Sequence, residues 1–453
     1  MTKNHFNSAR YILIAMSLII GISARSLTGA WRGDLNLGQI KLGLVFNFTE
    51  GTDGKTTCTL DVPAQGAKDV PALVDFCDTD SVAISIKLIN GSFRGKIKAN
   101  EINGTFSQRG YNFPLTLTPE KDISVRRPQT PCPPFPYTQI DTTFTSFDGT
   151  LLSGTLVIPL TTSSAKIPAV VMVTGSGPQN RDEELFEHRP FAVIADQLAR
   201  NGIASFRYDD RGTAKSKGDF ATSTSETFKK DAESALNFLK SVSCIGKTGV
   251  LGHSEGGTIA LKLASENKPD FVISLAGMAV SGKDCILLQN KRALDKTDLS
   301  EQQKEESLRL IAAGFDHLIA HGSVSDFNVE NYIKENNLNI PPQVLASLTT
   351  SIKRSNEWFR ELLSTNPVEW LGKIKKPVLA VNGTLDTQVE SESNLDIIRK
   401  HVRNAEVKSY PGLNHLLQHA TTGEVSEYGD ITETISPEVL TDITLFIKNQ
   451  HNN

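Results

Sequence analysis

Apolar residues follow two regimes along the chain. Over residues 27–120 they alternate with polar ones: Ile40-Lys41-Leu42-Gly43-Leu44-Val45-Phe46-Asn47-Phe48 keeps a period of two, Thr52-Asp53-Gly54-Lys55 supplies a turn, and Thr57-Cys58-Thr59-Leu60 follows. Further short strands are expected at 82–88, 93–97, 102–106 and 113–117, with Asn90-Gly91 as a turn and Gly29-Ala30-Trp31-Arg32-Gly33 at the head. A period of two puts every second side chain on one buried face, so this region reads as an all-β meander. Pro128-Gln129-Thr130-Pro131-Cys132-Pro133-Pro134-Phe135-Pro136 is dense in proline, and predicts an extended spacer over 121–138.

Beyond it, helical patterns at 191–201, 227–241, 259–266, 391–402 and 437–448 alternate with apolar strands around Val170, Ala204, Val250, Val272 and Val378. Two strands at 142–146 and 151–158 flank Asp148-Gly149 as an opening antiparallel hairpin. Such alternation predicts an α/β fold, a mostly parallel sheet with helices on both faces. It stops between 281 and 370, where charged helical stretches appear at 299–319, 343–352 and 356–363. This interval reads as a helical cap, with Leu310, Ile311, Phe315, Trp358 and Phe359 as its core, inserted between core segments 139–280 and 371–450.

Composition narrows the picture. The 453 residues carry a net charge of -4, with 22% charged and 39% hydrophobic residues, as in a globular protein with length for two or three cores. A pI near 6.2 and the lack of a basic stripe with interleaved aromatics argue against a nucleic-acid partner. Lys3 and Arg10 precede the apolar run 11–22 and then Ser23-Ala24-Arg25. That run is shorter than the about 20 residues a bilayer span needs, so 1–24 reads as a cleaved secretory signal: an exported protein, periplasmic or secreted, with no membrane contact afterwards; Ile22 is a poor occupant of the small-residue site before cleavage, and an uncleaved anchor is the alternative. The five cysteines have no metal-like spacing; Cys58–Cys77 and Cys244–Cys285 disulfides stand beside five free thiols as open alternatives. His317 and His321 lack a third ligand and read as a surface pair. Oligomeric state is not encoded legibly.

The chemistry centres on Gly252-His253-Ser254-Glu255-Gly256, between the apolar run 248–251 and the small-residue stretch 257–261. A serine at a tight strand-to-helix turn is exposed above the sheet edge, and only glycine fits at 252 and 256. The N–H groups of Glu255 and Gly256 then point towards the site of a developing oxyanion. The motif alone recurs by chance, so context matters: an acid and a histidine must follow, each just past a strand. Asp386 follows the strand Pro377-Val378-Leu379-Ala380-Val381, and His415 follows the strand 405–410. Ser254 would act as nucleophile, His415 as base and Asp386 as the group that fixes the tautomer of His415. The second oxyanion donor is expected in Thr174-Gly175-Ser176-Gly177, with Ser176 N–H first and Gly177 N–H as competitor. This chemistry calls for no cofactor or metal.

With Gly175-Ser176-Gly177-Pro178-Gln179-Asn180-Arg181-Asp182, Tyr208-Asp209-Asp210-Arg211-Gly212, Gly252–Gly257, Asn382-Gly383-Thr384-Leu385-Asp386 and Asn414-His415-Leu416-Leu417-Gln418, the chain resembles the α/β-hydrolase superfamily. More narrowly it is similar to bacterial carboxylesterases and serine-aminopeptidase-like hydrolases that carry an N-terminal lipocalin-like β domain. The resemblance implies a triad of Ser254, Asp386 and His415 and hydrolysis of a small-molecule ester through an acyl-enzyme. Amide hydrolysis is the alternative within that chemistry, and an exported, non-catalytic ligand-binding protein is the alternative outside it. Ala214 departs from the glycine usual in relatives. The charged groups Asp209-Asp210-Arg211 and Arg181-Asp182 are read as loop-fixing pairs rather than substrate contacts.

Overall fold

The structure is a computed structural model that describes residues 27–36, 41–51, 55–62, 67–108, 110–120, 127–160, 165–342, 344–346 and 356–452. The expected signal at 1–24, most of the turn at 52–55, the start of the spacer and most of the helix at 343–352 lie outside these residues. Two compact units divide at Asp122 and Ile123.

The first unit is a closed antiparallel barrel of eight strands, β1 (Gly29–Asn36), β2 (Lys41–Glu50), β3 (Thr56–Val62), β4 (Ala67–Cys77), β5 (Ser81–Ile86), β6 (Gly91–Lys98), β7 (Glu101–Gln108) and β8 (Tyr111–Pro119). Neighbours in sequence pair throughout, and β8 returns to β1 through Trp31↔Pro119 and Arg32↔Thr118, the up-and-down topology of a lipocalin-like barrel. Alternation turns one side chain in two inward, so Phe46, Leu60, Ile84, Phe93, Ile102 and Leu117 are fully buried and fill the interior. Sequence periodicity missed β4, where Asp69 and Pro71 interrupt the pattern and Leu73 and Phe76 face solvent. The register Cys58↔Ala72 places Cys77 five residues further along β4, about 17 Å at the rise of a strand, so these two cannot bridge. All five cysteines are free thiols, and burial pushes Cys58 up to about 12.

The second unit is a doubly covered sheet ordered β16-β15-β14-β13-β11-β12-β10-β9. Its strands are β9 (Tyr137–Thr145), β10 (Leu151–Pro159), β11 (Ile167–Val173), β12 (Ala204–Tyr208), β13 (Ile245–His253), β14 (Phe271–Leu275), β15 (Val378–Gly383) and β16 (Ala405–Tyr410). Strand β10 is antiparallel to both its neighbours, β9 and β12, and every pair from β12 to β16 is parallel. Strands buried on both faces need no polar alternation. In β11, Ala169, Val171 and Val173 join the core under helices Ser225–Ser241 and Glu255–Ser265, while Val170 and Met172 join the core under Pro190–Arg200 and Pro437–Asn452. This is the α/β-hydrolase fold.

Between β14 and β15 lie helices Gly282–Asp295, Glu301–His321, Val329–Glu335, Glu357–Ser364 and Val368–Leu371. Leu310, Ile311, Phe315, Leu318 and Leu363 form a separate core that defines the cap. The first, third and fifth of these helices had no distinct signal in the sequence. The proline-rich segment is no free spacer from residue 127 onward. Arg127 donates to the Phe186, Gly429 and Ile431 carbonyls, Gln129 donates to Ile435 O at 2.7 Å, and Phe135 packs on the sheet core. No helix among the described residues is long and apolar enough to cross a membrane.

Candidate active site

The strand β13 ends at His253 and the next helix starts at Glu255, leaving one residue to reverse direction. Ser254 does so at φ 53° and ψ -118°, held by its N–H donating to Leu275 O at 2.8 Å. A side chain in this left-handed region is strained, and strain of this kind persists only where surrounding structure enforces it. The enforcement is steric. A Cβ on Gly252 would overlap the Gly256 carbonyl, and one on Gly256 would overlap the Val173 and Thr174 carbonyls.

Asp386 sits just past β15. Its Oδ1 accepts the N–H groups of Gln388 and Val389, both at 2.8 Å, and its Oδ2 accepts from His415 Nδ1 at 2.7 Å. Because a carboxylate only accepts, Nδ1 carries the hydrogen and Nε2 is left to accept the Ser254 hydroxyl, 3.1 Å away. Asp386 and His415 are each 3% exposed, so the relay is shielded from bulk water. Asn414 shapes the loop that presents the imidazole: its Oδ1 accepts from Leu416 N and Gln418 N, and its Nδ2 donates to Gln418 Oε1.

Ser254, Ser176 and Glu255 line one cleft of about 300 Å3, which Ile286 and Leu362 of the cap also line. Gly175 N–H is taken by Glu183 Oε1, whereas among the described residues the Ser176 and Gly177 amides have no acceptor. Gly177 has φ 97°, a value open to glycine. Glu255 N–H opens its helix, where the first amides have no partner within the helix. The Glu255 side chain accepts from Ser225 Oγ and, at 3.0 Å, from Trp358 Nε1. Trp358 was expected in the cap core; it reaches the residue beside the nucleophile instead.

The charged loop residues point elsewhere. Arg181 pairs with Asp209 at 2.7 Å and Asp141 at 3.2 Å, and Asp182 pairs with Arg207 at 3.0 Å, so Arg181 and Asp182 both tie their loop to the end of β12 rather than to one another. Arg211 pairs with Asp231 and Asp148. Asp210 accepts from Thr174 Oγ1 and Gln179 N, and burial holds its carboxyl well above the ordinary range. Ala214 has φ 47°, the backbone that the expected glycine would adopt without strain. His317 Nε2 donates to Asp326 Oδ1 at 2.9 Å and its ring lies 4.3 Å, centroid to centroid, from the His321 ring; no metal-holding cluster occurs among the described residues.

Several contacts had no signal in the sequence. Cap helix Gly282–Asp295 lays Gln289 and Arg292 on the acid turn: Gln289 Nε2 donates to Gln388 O and Arg292 Nη1 to Asp386 O, each at 2.9 Å. Cys285 lies on the same face, and burial pushes its thiol up to about 12, which makes it inert. Glu183 and His253 form a buried pair 2.9 Å apart. Their positions, 70 residues apart, give no spacing by which to find them.

The family model of the X-Pro dipeptidyl-peptidase (S15) family matches residues 148–421. The esterase EstD of Thermotoga maritima is 27% identical over 296 residues, covering 64% of this chain and 64% of that protein's length. Among solved structures, Est1E of Butyrivibrio proteoclasticus with ferulic acid bound has a TM-score of 0.44 at 17% identity, covering 69% of this chain and 100% of that one. An esterase of Pyrococcus furiosus has a TM-score of 0.42 at 17% identity, covering 69% and 91%. The proline iminopeptidase of Mycobacterium smegmatis has a TM-score of 0.42 at 15% identity, covering 69% and 98%.

Proposed function

Because the chain belongs to the X-Pro dipeptidyl-peptidase (S15) family, we propose that it is a serine hydrolase, and that it cleaves carboxylic esters through an acyl-enzyme. The observation that carries the reading is the relay from Ser254 through His415 to Asp386, 3.1 Å and then 2.7 Å, ending at a serine in a strained turn. As Ser254 Oγ attacks the ester carbonyl, its proton passes to His415 Nε2 and Asp386 stabilises the resulting imidazolium. The negative oxygen of the tetrahedral intermediate is held by Glu255 N–H and by Ser176 N–H, with Gly177 N–H as the competing donor. Collapse breaks the bond to the alkoxy oxygen, which leaves as an alcohol with the His415 proton. Water, activated by the same imidazole, then attacks the acyl-enzyme, releasing the carboxylic acid and restoring Ser254.

The preference for esters rests on the likeness to EstD, named an esterase. Amide hydrolysis is the second reading, and the peptidase description of the family favours it. A fluorophosphonate should label wild-type protein at Ser254 and leave Ser254→Ala unlabelled; labelling that survives in Ser254→Ala would remove the serine from the mechanism. A series of p-nitrophenyl esters beside aminoacyl anilides decides between the bonds, since faster anilide turnover overturns the ester reading. Export is part of the proposal on the strength of residues 1–24. Expression of the full chain, fractionation and N-terminal sequencing should find the protein outside the cytoplasm with residues up to Ala24 removed; a retained start refutes cleavage, and retention in the cytoplasm refutes export.

A further inference from the structure

The chemistry above uses three side chains, yet a fourth and fifth are buried against them. His253 is 7% exposed and Glu183 4%. The His253 ring lies 4.8 Å, centroid to centroid, from the ring of His415. Its Nε2 is 2.9 Å from the His415 carbonyl oxygen, which can only accept, so Nε2 carries a hydrogen. Its Nδ1 is 2.9 Å from Glu183 Oε1, and that oxygen already accepts Gly175 N–H at 2.7 Å. Both ring nitrogens therefore donate, and the ring is an imidazolium paired with a carboxylate. Burial opposes that charge, but Glu183, with help from the His415 carbonyl and Asp386, outweighs it and holds His253 up at about 9.

Three catalytic loops meet at this pair. His253 is the last residue of β13, directly before Ser254; its Nε2 ties the loop of His415; and Glu183 ties Gly175, directly before the oxyanion candidates Ser176 and Gly177. Glu183 adopts φ 52° to reach this position, a strained backbone for a residue with a side chain. A buried ion pair adds little stability over apolar packing, so stability alone does not explain its presence.

We propose that His253 and Glu183 are positioning residues that hold the base loop and the oxyanion loop in register with Ser254. The inference rests on the hydrolase reading above. A shift of about 1 Å in such an arrangement costs on the order of 100-fold in rate, which sets the expected effect. The charged and titratable groups facing the His253 ring are Glu183 from the loop after β11, Asp386 from the loop after β15 and His415 from the loop after β16.

The test uses the full chain with Glu183→Gln and His253→Gln. Gln at 183 keeps an acceptor for Gly175 N–H but removes the charge, so the imidazole loses one of its two protons and one of its two ties. On a p-nitrophenyl ester, kcat should fall about 100-fold with KM within about twofold, and the rate of Ser254 labelling by a fluorophosphonate should fall in parallel. Wild-type kcat/KM should decline as pH rises through about 9, and Glu183→Gln should lack that limb. Either variant retaining kcat within about threefold, or an alkaline limb unchanged in Glu183→Gln, overturns the inference. If wild-type Ser254 itself resists labelling, the hydrolase reading fails; if it labels and the variants keep full activity, only the positioning role fails. Should the variants not fold, nitrogen NMR of the wild-type histidine rings decides: His253 should carry two N–H groups near neutral pH, and a neutral ring refutes the proposal.

Discussion

Asp386→Asn is the substitution whose outcome the geometry specifies most fully. Two backbone N–H groups point at Oδ1 and one imidazole N–H points at Oδ2. An asparagine amide can be placed two ways. With its NH2 towards Gln388 and Val389, donors face two donors; with its oxygen there, only the contact to His415 is mismatched, so the second placement wins. The NH2 then donates to His415 Nδ1, which must give up its hydrogen and become an acceptor. The proton moves to Nε2 and points at Ser254 Oγ, 3.1 Å away, so the base can no longer accept the serine proton. Relative to wild type, the reactive tautomer in the variant lacks the hydrogen bond to a charged carboxylate, about 1.5–3 kcal/mol, and leaves a buried donor unpaired, about 1–3 kcal/mol more. The sum, about 2.5–6 kcal/mol, corresponds to a loss of about 10² to 10⁴ in kcat/KM. The fold should be retained, because both backbone bonds survive. The assay is ester hydrolysis at about pH 8, normalised to correctly folded protein by circular dichroism. A loss under about tenfold would mean that Asp386 does not orient His415 in the working enzyme, and would refute the reasoning.

Stability should depend on pH through His253. Its folded value of about 9 lies above the ordinary 6.5, so the stabilisation is complete below 6.5 and disappears as pH rises through 9, amounting to about 3 kcal/mol. Urea midpoints across that range should fall in wild type and stay flat in Glu183→Gln; a flat wild-type curve would refute the buried charge. Ala214→Gly should stabilise the protein by about 0.5–1 kcal/mol, because relief of a left-handed alanine exceeds the entropic cost of glycine, and a lowered melting temperature would contradict this. Asp231→Ala should destabilise by about 3 kcal/mol or more, since Arg211, which donates to it from Nε at 2.7 Å, would be left buried with only the more exposed Asp148 as partner. Denaturant unfolding measures the change, and a loss under about 1 kcal/mol would show the guanidinium reaching water.

Much of the architecture was legible because it is local. Period-two alternation marked six of the eight barrel strands, β1 having only its Gly29–Gly33 head as a sign, and failed at β4, where Asp69 and Pro71 break it and pairing with β3 and β5 supplies what the pattern lacks. The continuous apolar runs of β11, β13 and β15 announced strands covered on both faces. The glycines at 252 and 256 marked the turn at Ser254, since the collisions they avoid lie within a single strand-turn-helix unit and the strand beside it. The order Ser254, Asp386, His415 could be read, but not the distances among them. Those depend on three loops converging at one end of the sheet, which chain order alone does not impose.

The sequence by itself determined most of the strands and helices outside β4 and part of the cap, where the strained serine sits and which residue types follow it, because backbone sterics and side-chain periodicity act over a few residues. Only the tertiary structure decided the partners. Glu183 meets His253, Arg292 meets the Asp386 carbonyl, Trp358 meets Glu255, and Arg127 anchors a segment that looked like a free spacer. Each of these contacts joins groups 59 to 304 residues apart. A side chain can satisfy its hydrogen bonds with any acceptor of the right shape, so its chemistry names the kind of partner it needs while the packing of the sheet chooses which one it finds.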